Sequence, residues 1–314
     1  ACVPLFLENQ YFLQIMIMTF FFAYLAGCWN LVGGGVGLFS MGHAAFVGLG
    51  AYTSTILFMH NHLTPWLGML AGGGTAVVAA IIIGYPCFKL RGVYFSLATL
   101  AFVSILQMVI TTTRHVGGFD VGAGEGLIIP VLGHSPGQLQ FLSKAYYYWI
   151  ILGMLGLVTW VADRLKASKM GYYMLAIKLD QEAADSLGVN VVKYKLICWC
   201  LSAFLTALGG TFYAQLLLYV APDRLLSIPL SLELIITTLI GGIGTIAGPI
   251  IGAFILIPIG EILRMQLGGQ YALVQVIIYG TILIAIILFL PKGIKEPLEN
   301  MCKRIRRALA GPLS

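Results

Sequence analysis

Few side chains in this sequence are placed where they could act on another molecule. The stretch Glu182-Ala183-Ala184-Asp185-Ser186-Leu187-Gly188 is short, polar and ends in glycine, a form suited to receiving force from a soluble partner. His43 lies amid Gly and Ala. There it could bind a ligand or titrate, or make the hydrogen bonds that hold two helices close together. Glu233 is the one carboxylate well inside an apolar block. An acid in such a block is a functional suspect by default, although its position near the block's end would also suit a helix cap.

Enzyme chemistry finds no footing here. The sequence has no nucleophile–base set, no paired aspartates and no His-Glu-x-x-His helix. A Gly-x-x-x-x-Gly-Lys-[Ser/Thr] phosphate loop is also absent. Gly242-Ile243-Gly244-Thr245-Ile246-Ala247 matches the glycines of a dinucleotide site, but it sits in an apolar block without a strand–helix unit or a following acid. Cys198-Trp199-Cys200 lacks the two-residue spacer of a metal or redox pair, and the six cysteines read as small buried residues. No cofactor or metal is expected on this chain.

The elements that carry these residues are set by lipid. With 59% hydrophobic residues, 10% charged residues and a mean hydropathy of +0.94, the apolar content exceeds what a soluble core of 314 residues could hide. A helical crossing needs roughly 20 apolar residues. Nearly uncharged runs of about that length recur at 11–33, 36–58, 66–86, 93–112, 145–162, 196–220, 231–260 and 272–290. A membrane barrel would instead alternate over segments of about ten residues, which a run such as 277–284 does not. The expected fold is an all-α polytopic membrane protein with about 8–9 crossings, a transmembrane domain at 1–291 and a basic tail at 292–314. The chain begins at Ala1 without Met, and Val3-Pro4-Leu5 reads as the end of something longer, so an upstream helix is expected.

Charge orients the bundle. Lys89 and Arg91 fall in one connection, Arg164, Lys166, Lys169, Lys178, Lys193 and Lys195 in a second, and the remaining clustered cations in the tail. Arg114, Lys144, Arg224 and Arg264 are scattered over three others. The positive-inside rule puts the first group in the cytoplasm and the second outside. This accounts for the net charge of +6 by topology and calls for no nucleic-acid partner. Block 231–260 must then go in and return, so two short helices joined by the Gly241-Gly242-Ile243-Gly244 turn are expected. Irregular backbone at membrane depth has to be buried or line water, which makes Gly241, Gly242 and Gly244 pathway candidates. A matching glycine-rich break at 33–43 would fit inverted internal repeats.

The 163–195 connection carries an amphipathic piece through Leu187. Lys178, Glu182 and Asp185 form its polar face, Ala176, Ile177, Ala183, Ala184 and Leu187 its apolar face, and Gly188 its stop. The outer loop 113–144 is glycine-rich and polar, expected to be flexible, and suits docking of a binding protein or a spacer role.

Several blocks resemble one family. Glu182-Ala183-Ala184…Gly188 looks like the loop by which ABC importer permeases engage their ATPase subunits. Phe39-Ser40-Met41-Gly42-His43-Ala44-Ala45-Phe46-Val47-Gly48-Leu49-Gly50-Ala51-Tyr52 resembles the signature of branched-chain amino acid permeases, and Leu90-Arg91-Gly92-Val93-Tyr94-Phe95 that of its LivM branch. The likeness continues through Arg114-His115-Val116-Gly117-Gly118, Tyr194-Lys195-Leu196 and Phe289-Leu290-Pro291-Lys292-Gly293. Where the family usually carries Arg just after the position of Gly171, this chain has Tyr172-Tyr173.

The resemblance implies a permease in the bacterial inner membrane that works with a homologous second permease, two ABC ATPase subunits and a periplasmic or lipid-anchored substrate-binding protein. ATP and Mg would be held on the ATPase subunits. Glu182, Ala183, Ala184 and Gly188 would couple to them, and Ser40, Gly42, His43 and Tyr52 join Glu233 and the turn glycines as translocation candidates. The walls offer few fixed charges, so backbone dipoles, hydroxyls and apolar surface are expected to meet a zwitterionic apolar cargo such as Leu, Ile or Val. Urea, short amides and other amino acids are alternative cargoes. A secondary transporter or channel would need a buried carboxylate or His relay, for which the sequence gives no convincing set.

Overall fold

The computed structural model describes residues 10–267, with gaps at 62, 89, 91, 117–118, 121, 132 and 134–135, and isolated positions between 274 and 288. The expected final crossing at 272–290 lies mostly outside the described residues, and the basic tail and residues 1–9 wholly outside them.

The long helices are α1 (Gln10–Gly33), α2 (His43–Asn61), α3 (Pro65–Cys87), α4 (Val93–Thr112), α5 (Lys144–Ala167), α8 (Val191–Leu217), α10 (Ile228–Gly241) and α11 (Gly248–Leu267). Short helices α6 (Lys169–Leu179), α7 (Gln181–Ser186) and α9 (Pro222–Leu225) lie between them. Among the described residues seven helical stretches are long and apolar enough to cross a membrane, and α2 adds a helix of 19 residues packed against α3 and α8. The expected run at 36–58 starts its helix only at His43, because the Gly33–Gly35 cluster and Gly37, at φ +77°, hold the chain in irregular backbone first.

Helices apolar on every side belong at the centre, and α1 and α8 are the most enclosed of the spans. The outer helices α3, α4 and α5 turn Ile82, Val93, Ile105, Met108 and Trp160 outward as a lipid-facing surface. Since lipid supplies no hydrophobic drive between helices, close packing of small residues and interhelical hydrogen bonds must hold them. Both are present. A Cβ at Gly50 would strike the Ala207 carbonyl, and one at Gly210 the Val47 carbonyl, so α2 and α8 touch backbone to backbone. Gly72 brings α3 against the Gly50 backbone, less tightly. Tyr24 donates to the Leu205 carbonyl at 2.5 Å, Trp199 Nε1 to the Ala80 carbonyl at 3.1 Å, and Thr238 to the Ala26 carbonyl at 3.2 Å.

Block 231–260 is two helices, α10 and α11, joined by residues 242–247. The turn closes on itself: Thr245 Oγ1 donates to the Gly242 carbonyl and accepts from Gly248 N–H. Gly242 at φ +112° and Gly244 at φ +77° are the conformations that demand glycine. The reversal lies at the cytoplasmic end rather than midway, because Lys166 Nζ reaches the Gly244 carbonyl at 2.6 Å. Asn30, near the end of α1, clasps the same turn, accepting from Gly244 N–H and donating to the Thr245 carbonyl. The two glycine-rich breaks therefore meet at one end of the bundle, and these two hairpins run in the same sense instead of being inverted.

The outer connection is more ordered than its composition suggests. β1 (His115–Val116) pairs with β2 (Phe119–Asp120), and β3 (Leu127–Ile128) with β4 (Tyr219–Val220) just past α8. Leu127, Ile129 and Leu139 are buried.

Candidate functional site

At the cytoplasmic end, Asp180 divides the expected single amphipathic piece into α6 and α7. Its carboxylate accepts from Glu182 N–H at 2.9 Å and Ala183 N–H at 3.1 Å, a side-chain cap that starts a new helix. Gly188, at φ +81°, ends α7 with its N–H on the Asp185 carbonyl, while Val189 N–H returns to Ala184. Asn190 then caps α8. Ala184 and Ile177 are buried as expected for an apolar face. Ala183 is exposed, however, and Leu187 projects outward with 83% of its surface open, so both leave that face. Leu179, at 78%, does the same. Glu182, Asp185 and Gly188 border a shallow cavity of about 410 Å³ on this outer side.

This segment is tied to the spanning helices. Lys178 Nζ donates to the Gly34 carbonyl at the end of α1 at 2.9 Å, as Lys166 does to Gly244. Lys195 Nζ donates to Gln181 Oε1 at 2.6 Å, joining α8 to α7. Between the two lysine contacts is a cavity of about 280 Å³ walled by Asn30, Gly34, Gly171, Tyr172 and Gly244.

His43 belongs to a different centre. It is fully buried, with Nε2 2.9 Å from Ser202 Oγ and Nδ1 3.3 Å from Ser40 Oγ. Ser202 passes the chain on to the Cys28 carbonyl at 2.7 Å. Ser40 is held in turn by Trp29 Nε1 on its carbonyl and by Gly42 N–H on its hydroxyl. Ser96 donates to the Phe39 carbonyl, and Met41 N–H to Thr99. The rings of Trp199 and Phe46 close over the imidazole at centroid distances of 5.6 Å and 5.9 Å. Ser40, Gly42 and His43 thus form a lock among α1, α2, α4 and α8. Tyr52 lies farther along α2 with its hydroxyl buried and without a hydrogen-bond partner among the described residues.

Glu233 stands in the second turn of α10. The cap of that helix is Ser227, whose hydroxyl accepts from Leu230 N–H, so Glu233 is not the cap. It lines an outward cavity of about 460 Å³ between α1, α8, α10 and α11, together with Asp223, Arg224, Glu261 and Arg264. The fold gathers at this one mouth ions that the sequence scatters over forty residues. The candidates do not converge on one passage: Ser40, Gly42 and His43 lock helices, Glu233 lies outside, and Gly241, Gly242 and Gly244 lie at the inner turn. Sequence reasoning missed Asn30, Lys166, Lys178, Glu261 and Arg264 as site residues. Asn30 inside an apolar run and the Glu261/Arg264 spacing of three were the available signals.

The fold is that of a polytopic helical membrane protein with a capped, exposed segment at its cytoplasmic end. The chain belongs to the branched-chain amino acid transport system permease component family, whose pattern matches residues 11–287. It is 25% identical to the high-affinity branched-chain amino acid transport permease LivM of Escherichia coli K12, over 86% of this chain and 69% of that protein. The high-affinity branched-chain amino acid transport permease LivH of the same organism is also 25% identical, over 90% of this chain and 95% of its own. A guanosine ABC transporter permease of Bacillus subtilis is 28% identical over 57% of this chain and 59% of its own. No solved structure matches it.

Proposed function

We propose that this chain is one of two permease subunits of an ATP-driven importer that carries branched-chain or other hydrophobic amino acids across the bacterial inner membrane. Two ABC ATPase subunits hold the ATP and Mg and dock on the α6–α7 segment. A periplasmic or lipid-anchored binding protein delivers the cargo on the outer side. The observation that carries this reading is the linkage from α6–α7 to the bundle: a movement of α6 is passed by Lys178 to α1 and, through Asn30 and Lys166, to the α10–α11 turn. Exposed Leu179 and Leu187 beside Glu182 give a partner both apolar and charged holds.

Affinity capture of this chain from its own cells is expected to retain a second permease and two ATPase chains. Vesicles holding the whole complex accumulate leucine only with ATP inside and the loaded binding protein outside. Steep accumulation by this chain alone would overturn the reading. A panel of amino acids, urea, short amides, guanosine and ribose on the cognate binding protein names the cargo, and tight binding of guanosine or ribose in place of amino acids would replace it.

A further inference from the structure

The outer cavity brings together a set of charges that the fold itself leaves incomplete. Its carboxylate on α10, Glu233, has no hydrogen bond or ion pair among the described residues, and its charged neighbours are Glu261 and Arg264. Arg264 lies 4.0 Å from Glu261, one turn back on α11. Asp223 accepts a hydrogen bond from Gln107 at 3.3 Å, whereas Arg224 stands exposed at the rim. A half-buried carboxylate that makes no hydrogen bond is unfavourable, and a second acid beside it adds repulsion. Such a carboxylate favours a cation, and two guanidinium groups on the same cavity favour an anion on the same ligand. The remaining wall is apolar, from Met18 and Phe22 of α1, Leu230 of α10 and Ile257 of α11. About 460 Å³ lies within the range of small-molecule sites, roughly 300–1,000 Å³.

We infer that this cavity is a receiving subsite for a free zwitterionic amino acid with an apolar side chain. Glu233 takes the ammonium, Arg224 and Arg264 take the carboxylate, and the side chain rests on Met18, Phe22, Leu230 and Ile257. The inference deepens the importer reading and rests on it. The site stands where cargo leaving an outer binding protein first meets the bundle, since Glu233 is only five residues, about 8 Å of helix, into α10. Neither arginine is fully buried, so release inward needs no separation of a locked ion pair.

The test uses the assembled complex in lipid nanodiscs and ligand-detected NMR. The probes are L-leucine, 3-methylbutylamine (which lacks the carboxylate), 4-methylpentanoate (which lacks the ammonium) and glycerophosphoethanolamine. Leucine is expected to give the strongest contact signal, the amine a weaker one and the acid the least. Glu233→Gln abolishes the first two and Glu233→Asp restores them in part. In vesicles Glu233→Gln and the double variant Arg224→Gln/Arg264→Gln lower leucine uptake at saturating loaded binding protein at least tenfold, with subunit stoichiometry as in the parent. Full leucine uptake by an assembled Glu233→Gln complex overturns the subsite while the importer reading stands. A Glu233-dependent signal from glycerophosphoethanolamine with none from leucine assigns the cavity to a lipid headgroup and also overturns it. If the parent complex assembles but moves no amino acid, the importer reading fails, and the subsite with it.

Discussion

Lys178 of the cytoplasmic segment donates a hydrogen bond at 2.9 Å to the carbonyl of Gly34, 144 residues earlier, where α1 ends. The last carbonyls of a helix have no partner within it and carry the negative end of its dipole. A lysine there is a fastening between a surface element and the most enclosed helix of the bundle.

Replacing Lys178 by Met keeps the aliphatic stem and removes the fastening. Uptake per assembled complex is expected to fall several-fold, ATP hydrolysed per leucine moved to rise, and Lys178→Arg to recover part of the loss. Paired measurement of uptake and phosphate release in vesicles decides it, and an unchanged ratio in Lys178→Met would remove the lysine from the transmission route.

At the contact surface, Glu182→Lys reverses a charge on exposed α7, and Gly188→Leu forces a side chain into φ +81°. The latter costs about 1–2 kcal/mol where glycine pays no steric penalty. Both are expected to raise ATP consumption per solute while the ATPase chains still co-purify. Normal coupling in both variants would mean that docking lies elsewhere.

His43 ties α2 to α8 through Ser202 and to the loop before α2 through Ser40. His43→Ala removes the imidazole's bonds to Ser40 and Ser202, which keep Gly42 N–H and the Cys28 carbonyl as partners, and leaves a void, a loss of about 2–4 kcal/mol. The melting temperature of the purified complex should drop markedly, with uptake per surviving complex within twofold of the parent. Parental stability combined with abolished uptake would make His43 a cargo contact instead.

The α2–α8 seam tolerates no side chain. Gly50→Val and Gly210→Val drive a branched side chain into a facing carbonyl and are expected to destabilise by about 1–3 kcal/mol or more. Gly74→Ala, at a helical glycine with nothing within 4 Å, should be neutral or gain about 0.5–1 kcal/mol. Thermal unfolding of the three variants side by side gives the answer.

Much of this architecture is legible in one dimension. Apolar run length marks α3 and α4 almost to the residue, since lipid leaves the chain little choice. The hairpin of α10 and α11 follows from charge parity together with the Gly241–Gly244 turn. Helix ends are less legible: Asp180 splits α6 from α7 through a side-chain cap that periodicity smooths over. Long-range polar contacts were not legible at all. Nothing local tells that Lys166 meets Gly244 or that Glu233 shares a mouth with Arg264, because these encounters depend on how helices far apart in sequence cross. Leu187 was misplaced for a similar reason: helical spacing puts it with Ala184, but the chain has already left α7 by that point.

The glycine seam joining α2, α3 and α8 has a further consequence. Peptide planes already in contact can be pressed no closer, and pulling them apart would expose amide groups to hydrocarbon that offers them nothing. These three helices therefore behave as a stiff plank through any cycle of opening and closing. The 460 Å³ mouth opens away from this unit, between α1, α8, α10 and α11, and the 280 Å³ inner hollow between α1, α5, α6 and the α10–α11 turn.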